Sequence, residues 1–163
     1  MIKILFICHG NICRSTMAEF VMIYLLKKYN ITNVSVSSRA TSREEIGNPI
    51  HYGTRKKLKQ QNIPITYDKR AEQITRDDIE TNDYLIVMDT NNISNLLKLY
   101  PDVDQRKIYR LLDFSKQPRD IADPWYTGNF DKTYEEVLEG CLNLIKHLPK
   151  EDIWTKIKYI SQK

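Results

Sequence analysis

The chain has 163 residues, of which 41% are hydrophobic and 28% charged, and its formal net charge is +4 at pH 7. This length can bury one hydrophobic core, and the composition is that of a globular protein, so we expect residues 1–163 to form a single domain. No run approaches the ~18 apolar residues that a membrane helix needs, and no membrane insertion is expected.

The distribution of charge and the cysteine content predict the kind of partner and the compartment of the protein. The basic run at residues 55–59 has no interleaved aromatic residues, so we interpret it as a solvated helix face and expect no nucleic-acid partner. The first residues lead directly into an apolar strand, so no secretory signal is expected. The three cysteines fit a reducing compartment better than a disulfide framework. These features predict a cytoplasmic protein.

Hydrophobic periodicity predicts strands that alternate with helices along the chain. The predicted strands are Ile2–Ile7, Val34–Ser37, Tyr84–Met88 and Lys107–Leu112. The predicted helices are Thr16–Tyr29, Ile50–Gln61, the turn Arg76–Thr81, Asn92–Leu99 and Tyr134–Leu148, and Phe114–Phe130 is a long loop. This order predicts an α/β fold in three layers, with a four-stranded parallel sheet flanked by helices. Ligands of such folds bind beyond the carboxyl ends of the strands.

The segment Cys8–Ser15 joins the first predicted strand to the first predicted helix. Successive N–H groups of a tight loop and of a helix start can converge on an anion, and Gly10 and Asn11 tolerate the backbone angles that this requires. The same donors favour the thiolate of Cys8. Arg14 offers a planar fork for two phosphate oxygens. The segment therefore predicts a phosphate-binding loop and covalent phosphoryl transfer to Cys8.

A second motif, Asp123-Pro124-Trp125-Tyr126, lies far downstream. Together with Met17-Ala18-Glu19, the two motifs resemble the low-molecular-weight protein tyrosine phosphatase family of the bacterial type, from about Met1 to about Leu148. Residues 150–163 are a C-terminal extension that the resemblance covers poorly. The resemblance implies an enzyme that hydrolyses phosphotyrosine through a cysteinyl-phosphate intermediate, with no cofactor or metal.

The resemblance and the residue chemistry together suggest a role for each side chain. Cys8 is the expected nucleophile, Arg14 holds the phosphate oxygens, and Asp123 is the general acid and base, which Pro124 presents from an extended loop. Asp120 is a nearby alternative acid that the family's register disfavours. The residues expected to bind phosphate or support the loop are His9, Gly10, Asn11, Ile12, Cys13, Ser15 and Ser38, and those expected to form an aromatic wall for the substrate are Trp125 and Tyr126.

Two further cysteines, and several positions that depart from the family's common residues, bear on these expected roles. In the resembling family, a second thiol at the position of Cys13 can trap the first as a reversible disulfide, which implies redox regulation; the alternative is a small buried apolar residue. Cys141 is expected in the core. At four positions the sequence departs from residues that are common in the family. Thr16 replaces a common proline, and Glu44 replaces a frequent aromatic residue of the cleft. Lys69 and Glu72 lie where many members carry His and Arg.

Three alternative functions share some of these features. A protein-arginine phosphatase tends to carry Thr at the position of Ile12 and a smaller residue at that of Tyr126. An arsenate reductase needs further redox cysteines, and the chain has none between Cys13 and Cys141. A catalytically idle phosphotyrosine binder or thiol redox sensor would lack one of the reacting residues. The expected partners are phosphotyrosine-containing proteins, with a tyrosine kinase as a candidate, and the expected state is a monomer or weak dimer.

Overall fold

A parallel sheet forms the middle layer of the fold, as the sequence predicts. The structure is a computed structural model that describes residues 1–149, so the predicted extension at 150–163 lies outside the described residues. The strands are β1 (Ile2–Cys8), β2 (Val34–Ala40), β3 (Tyr84–Val87) and β4 (Ile108–Arg110), in the spatial order β2-β1-β3-β4. All neighbouring strands run parallel. The predicted four-stranded α/β fold is therefore confirmed.

Helices cover both faces of this sheet. They are α1 (Arg14–Lys28), α2 (Tyr52–Gln60), α3 (Arg76–Thr81), α4 (Thr90–Leu99), α5 (Pro124–Thr127) and α6 (Phe130–His147). Side chains of β1 alternate between two cores: Ile4 and Phe6 join a cluster with α1 and α6, whereas Leu5 and Ile7 join one with α3 and α4. Burial on both faces explains why β1, apart from the exposed Lys3, is an apolar run.

Several predicted elements differ from the structure, most clearly in the C-terminal half of the chain. The predicted strand Lys107–Leu112 is reduced to Ile108–Arg110, because short 3₁₀ turns occupy Gln105–Lys107 and Leu111–Phe114. The predicted loop Phe114–Phe130 contains the one-turn helix α5, and α6 begins at Phe130, four residues before the predicted start. Asn129 caps α6 by accepting from the Lys132 N–H, and the first turn of α6 is too polar for apolar periodicity to reveal.

The order of the strands determines where a ligand can bind. The chain crosses from β1 to β2 on one side, and β3 lies on the other side of β1. The helices that follow β1 and β3 therefore lead away from each other. This topological switch point leaves a crevice at the carboxyl end of β1. Cys8, the last residue of β1, lies there.

Candidate active site

The segment between β1 and α1 curls around the sulfur of Cys8. Cys8 ends β1 and Arg14 begins α1, two residues earlier than predicted. Asn11 has a φ of 58°, a left-handed conformation that asparagine tolerates better than most residues. This turn directs the Asn11 N–H to the Cys8 Sγ at 3.3 Å. The Ser15 Oγ lies 3.0 Å from the same sulfur.

The Asn11 side chain connects the loop to its surroundings. Its Nδ2 donates to the Ser15 Oγ at 2.8 Å and to the Ser38 Oγ at 2.9 Å, and its Oδ1 accepts from the Glu72 N–H at 3.1 Å. Because the Ser15 oxygen already accepts from this amide, the Ser15 hydroxyl hydrogen is available for a Cys8 thiolate. Asn11, Ser15 and Ser38 thus form one buried network that ends at the sulfur.

A buried carboxylate that the sequence reasoning did not assign to the site continues this network. The Ser38 hydroxyl donates to Glu19 Oε1 at 2.5 Å, and the Tyr67 hydroxyl donates to the other oxygen of Glu19. Lys69 donates from Nζ to the Ser38 carbonyl oxygen at 2.9 Å. Burial raises the pKa of Glu19 and lowers that of Lys69, and the attraction between their charges opposes both shifts. A Glu at the centre of an otherwise apolar helix face is the sequence signal that could have revealed it.

Arg14 is anchored through Nη1, whereas its Nε has no acceptor among residues 1–149. The residue is 2% exposed, and its Nη1 donates to Asp89 Oδ2 at 2.5 Å and to the Ile121 carbonyl oxygen at 2.9 Å. Burial opposes the charge of Arg14, but the charges of Cys8, Asp89 and Asp123 raise its pKa. Within the described residues, Nε is buried without an acceptor. Nε, and the Nη2 hydrogen that is not directed at Asp123, therefore remain as donors for a tetrahedral oxyanion.

Asp89 was not predicted as a site residue. It follows β3 by two positions and caps α4, where its side chain and that of Asn92 form a capping box. Its Oδ1 accepts from the Asn92 N–H at 2.8 Å, which turns Oδ2 toward Arg14. An acidic residue just beyond the carboxyl end of a central strand is the signal that could have located it.

Asp123 lies across the cleft from the loop. It has extended backbone angles, as predicted from the following proline, but it caps helix α5 instead of lying in a loop. Its Oδ1 accepts from the Trp125 N–H at 3.0 Å, and its Oδ2 lies 3.3 Å from Arg14 Nη2. Asp120, the alternative acid, instead accepts from Thr90 and Arg110. The structure therefore brings Asp123, and not Asp120, to Arg14.

The surroundings of the two cysteines beyond Cys8 favour their thiol forms. Burial, together with the nearby Cys8 and Asp123, raises the pKa of Cys13 to about 12. Burial alone raises the pKa of Cys141, which lies in the core between α1 and α6 as predicted. Both remain thiols near neutral pH because their thiolates are disfavoured. All three cysteines are free.

A cavity of about 100 Å³ opens above Cys8 between the loop and α5. His9 and Glu44 meet at its mouth, with His9 Nε2 at 2.9 Å from Glu44 Oε2. Trp125 and Tyr126 are 56% and 82% exposed on the opposite side. Its lining residues are Cys8, His9, Gly10, Ile12, Cys13, Glu44, Glu45, Asp123, Trp125 and Tyr126. This cavity can receive an aromatic ring whose phosphate reaches the floor.

Two features of other functional classes are absent from residues 1–149. No cluster of three or more His, Cys, Asp or Glu side chains in this range could hold a metal ion. No helix in the same range is long and apolar enough to cross a membrane.

The α/β fold thus carries, at the carboxyl end of β1, a loop that curls around the sulfur of a cysteine. Residues 3–153 match the family model of the low molecular weight phosphotyrosine protein phosphatases. Low molecular weight protein-tyrosine-phosphatase PtpA of Staphylococcus epidermidis is 40% identical over 152 residues, covering 93% of this chain and 96% of that protein. The Staphylococcus aureus PtpA is 39% identical over 154 residues, with the same coverage.

Solved structures give the same result. YfkJ from Bacillus subtilis superposes with a TM-score of 0.88 at 36% identity, over 93% of this chain and 96% of that one. SP-PTP, a low molecular weight protein tyrosine phosphatase from Streptococcus pyogenes, superposes with a TM-score of 0.84 at 39% identity, over 95% and 98%. The chain belongs to the low molecular weight phosphotyrosine protein phosphatase family and is an enzyme of that class.

Proposed function

We propose that this protein-tyrosine phosphatase hydrolyses phosphotyrosine in two steps, with Cys8 as nucleophile, Arg14 as the oxyanion-binding residue and Asp123 as general acid and base. The observation that carries the assignment is the position of Arg14 at the end of the loop that curls around the Cys8 sulfur, with Nη2 at 3.3 Å from Asp123 Oδ2 and with Nε buried without an acceptor among residues 1–149. The unpaired Nε supports the binding of a phosphate oxygen beside the sulfur.

In the first step, the Cys8 thiolate attacks phosphorus. A P–S bond forms, the P–O bond to the tyrosine ring breaks, and Asp123 donates its proton to the departing phenolate. Arg14 and the loop N–H groups stabilise the charge that spreads over the three equatorial oxygens. The Ser15 hydroxyl supports the sulfur as a thiolate before the attack.

In the second step, water attacks the cysteinyl phosphate. The Asp123 carboxylate accepts a proton from this water, the P–S bond breaks, and inorganic phosphate and the Cys8 thiolate are released. The same side chain thus returns to its protonated form for the next turnover. Hydrogen bonds from Asn11 and Ser15 hold the sulfur while it leaves. No cofactor takes part in either step of this proposal.

The substrate class is an aryl phosphate. Ile12, Trp125 and Tyr126 line the same cavity with apolar and aromatic side chains, which favours a phenyl ring over a phosphorylated guanidinium. The partners we propose are phosphotyrosine-containing proteins in the cytoplasm, with a tyrosine kinase as one candidate, and the enzyme acts as a monomer or weak dimer. Initial rates on matched phosphotyrosine and phosphoarginine peptides test this assignment, and a preference for phosphoarginine would contradict it.

Replacing Ile12 with Thr should shift the preference between these substrates. Loss of the apolar contact should lower kcat/KM on a phosphotyrosine peptide by about tenfold, the scale of one or two methyl groups in a pocket. A hydroxyl at this position can orient a guanidinium or a water, so any phosphoarginine activity should rise. The two kcat/KM values measured side by side provide the check. Replacement of the exposed Ile46 with Thr serves as the control.

Peroxide should inactivate the enzyme reversibly. Oxidation converts Cys8 to a sulfenic acid, and condensation with the Cys13 thiol forms a disulfide and releases water. Dithiothreitol should then restore activity to the wild-type enzyme. The Cys13→Ser variant should recover much less, because nothing protects its sulfenic acid from further oxidation. Equal recovery in both proteins would contradict the disulfide.

A further inference from the structure

His51 lies between the phosphate-binding loop and helix α5 and has no role in the steps above. Its backbone N–H donates to the Ile12 carbonyl oxygen at 2.9 Å. Its Nδ1 accepts from the Gly53 N–H at 3.0 Å and so caps helix α2. The backbone of His51 is thus fixed by the loop, through Ile12, and its ring by helix α2, through Gly53.

The His51 ring packs against aromatic residues at both ends of the turn that contains α5. It stacks on Phe130 with centroids 5.3 Å apart and planes at 13°, and it meets Trp125 at 5.5 Å and 74°. Both arrangements are favourable for aromatic rings. Gly53 allows this packing, because a Cβ at that position would lie 2.4 Å from the Phe130 ring.

Trp125 links the His51 ring to Asp123. The Trp125 N–H donates to Asp123 Oδ1, and both residues belong to the start of α5, which is only four residues long. A helix of one turn has little stability of its own, so its position depends on side-chain contacts. Gly128, with a φ of 69°, ends α5 and turns the chain toward Phe130, on which the same histidine stacks.

We propose that His51 is a positioning residue whose ring holds Trp125, and through α5 keeps Asp123 above the loop. This inference rests on the proposed function, since His51 acts through the general acid. Misplacement of a catalytic group by about 1 Å can cost up to roughly 10²-fold in rate. That cost falls mainly on substrates whose leaving group needs the proton. Loss of the His51 ring should therefore change the selectivity for leaving groups.

Two substitutions separate the effect of the His51 ring from the role of His51 as the cap of α2. His51→Asn keeps an acceptor for the Gly53 N–H, since asparagine is a preferred N-cap residue, but removes the ring. His51→Phe keeps the ring and removes the acceptor. The measured quantity is the ratio of kcat/KM on a phosphotyrosine peptide to kcat/KM on para-nitrophenyl phosphate, whose leaving group departs without a proton. His147→Asn is the control, because His147 packs against Tyr109 and Phe114.

The ratio should fall roughly tenfold in His51→Asn, within the range expected for a misplaced catalytic group, and by much less in His51→Phe. His147→Asn should keep the wild-type ratio. An unchanged ratio in His51→Asn, or an equal fall in His51→Phe, would contradict the role of the ring. Wild-type enzyme that fails to hydrolyse the phosphotyrosine peptide would instead contradict the proposed function, so the two failures are distinct.

A second measurement does not depend on turnover. The chain has two tryptophans, so a Trp154→Phe background leaves Trp125 as the fluorescent reporter. In that background, His51→Asn should increase acrylamide quenching of Trp125, and His51→Phe should leave it near the starting value. Thermal melting curves check that each variant is folded. Quenching that does not change in a folded His51→Asn protein would overturn the proposal.

Discussion

Cys8→Ser should abolish turnover of every aryl phosphate, whatever its leaving group. A serine hydroxyl at this position has no general base beside it, so the covalent phosphoenzyme cannot form at a useful rate. We expect kcat/KM to fall on the order of 10⁴–10⁶-fold, the scale on which replacement of a nucleophile acts in other hydrolases. Initial rates on phosphotyrosine peptide and para-nitrophenyl phosphate, with melting curves for both proteins, measure the effect.

The control for this variant is another buried cysteine. Cys141→Ala removes a sulfur that lies in the core between α1 and α6, far along the chain from the loop, and it should retain turnover. Mass spectrometry of the rapidly quenched wild-type enzyme should also show phosphate on Cys8. Phosphate found on Cys13 instead would contradict the assignment, as would substantial turnover by Cys8→Ser.

The loop could be predicted from sequence because its information is local. Strand β1 is apolar on both faces, and the eight residues Cys8–Ser15 contain the thiol, the turn residue Asn11 and Arg14. A loop that joins a buried parallel strand to the start of a helix lies where ligands of such folds bind. The parallel sheet follows from the alternation of strands and helices, whereas the strand order was not predicted.

The partners of Glu19 and Asp89 could not be found in this way, because those contacts join distant segments of the chain. Glu19 meets Ser38 and Tyr67 only after α1 packs on the sheet. Asp89 meets Arg14 across 75 positions of the chain. Hydrophobic periodicity cannot reveal either contact, because it indicates the face that a residue occupies and not its partner.

Helix α5 differs, because the sequence contains its start and stop residues but the helix is too short to show hydrophobic periodicity. Asp123 at the N-cap, Pro124 in the first turn and Gly128 after the end are typical of a helix start and stop. Four helical residues span about one turn, so no apolar repeat can form. As a result, the sequence predicted the extended backbone of Asp123 but missed the helix that it caps.

The strongest test of Asp123 compares leaving groups of different basicity. The tyrosine phenolate is the conjugate base of an acid with a pKa of about 10 and leaves poorly without a proton. Asp123→Ala should therefore lower kcat/KM on phosphotyrosine by about 10²–10⁴-fold, the usual contribution of a general acid. The loss should shrink as the phenol becomes more acidic, because a stable phenolate can leave unprotonated. A series of substituted phenyl phosphates measures this slope.

Alanine also removes the cap of α5, so a second variant must separate the proton from the cap. Asp123→Asn keeps an oxygen that can accept from the Trp125 N–H, as Asp123 does at 3.0 Å, but it carries no transferable proton. If Asp123 is the acid, the asparagine and alanine variants should show the same steep dependence on the leaving group. Recovery in Asp123→Asn would mean that the residue acts by capping α5. Asp120→Asn is the matched control, since that carboxylate contacts Thr90 and Arg110 and should leave the slope unchanged.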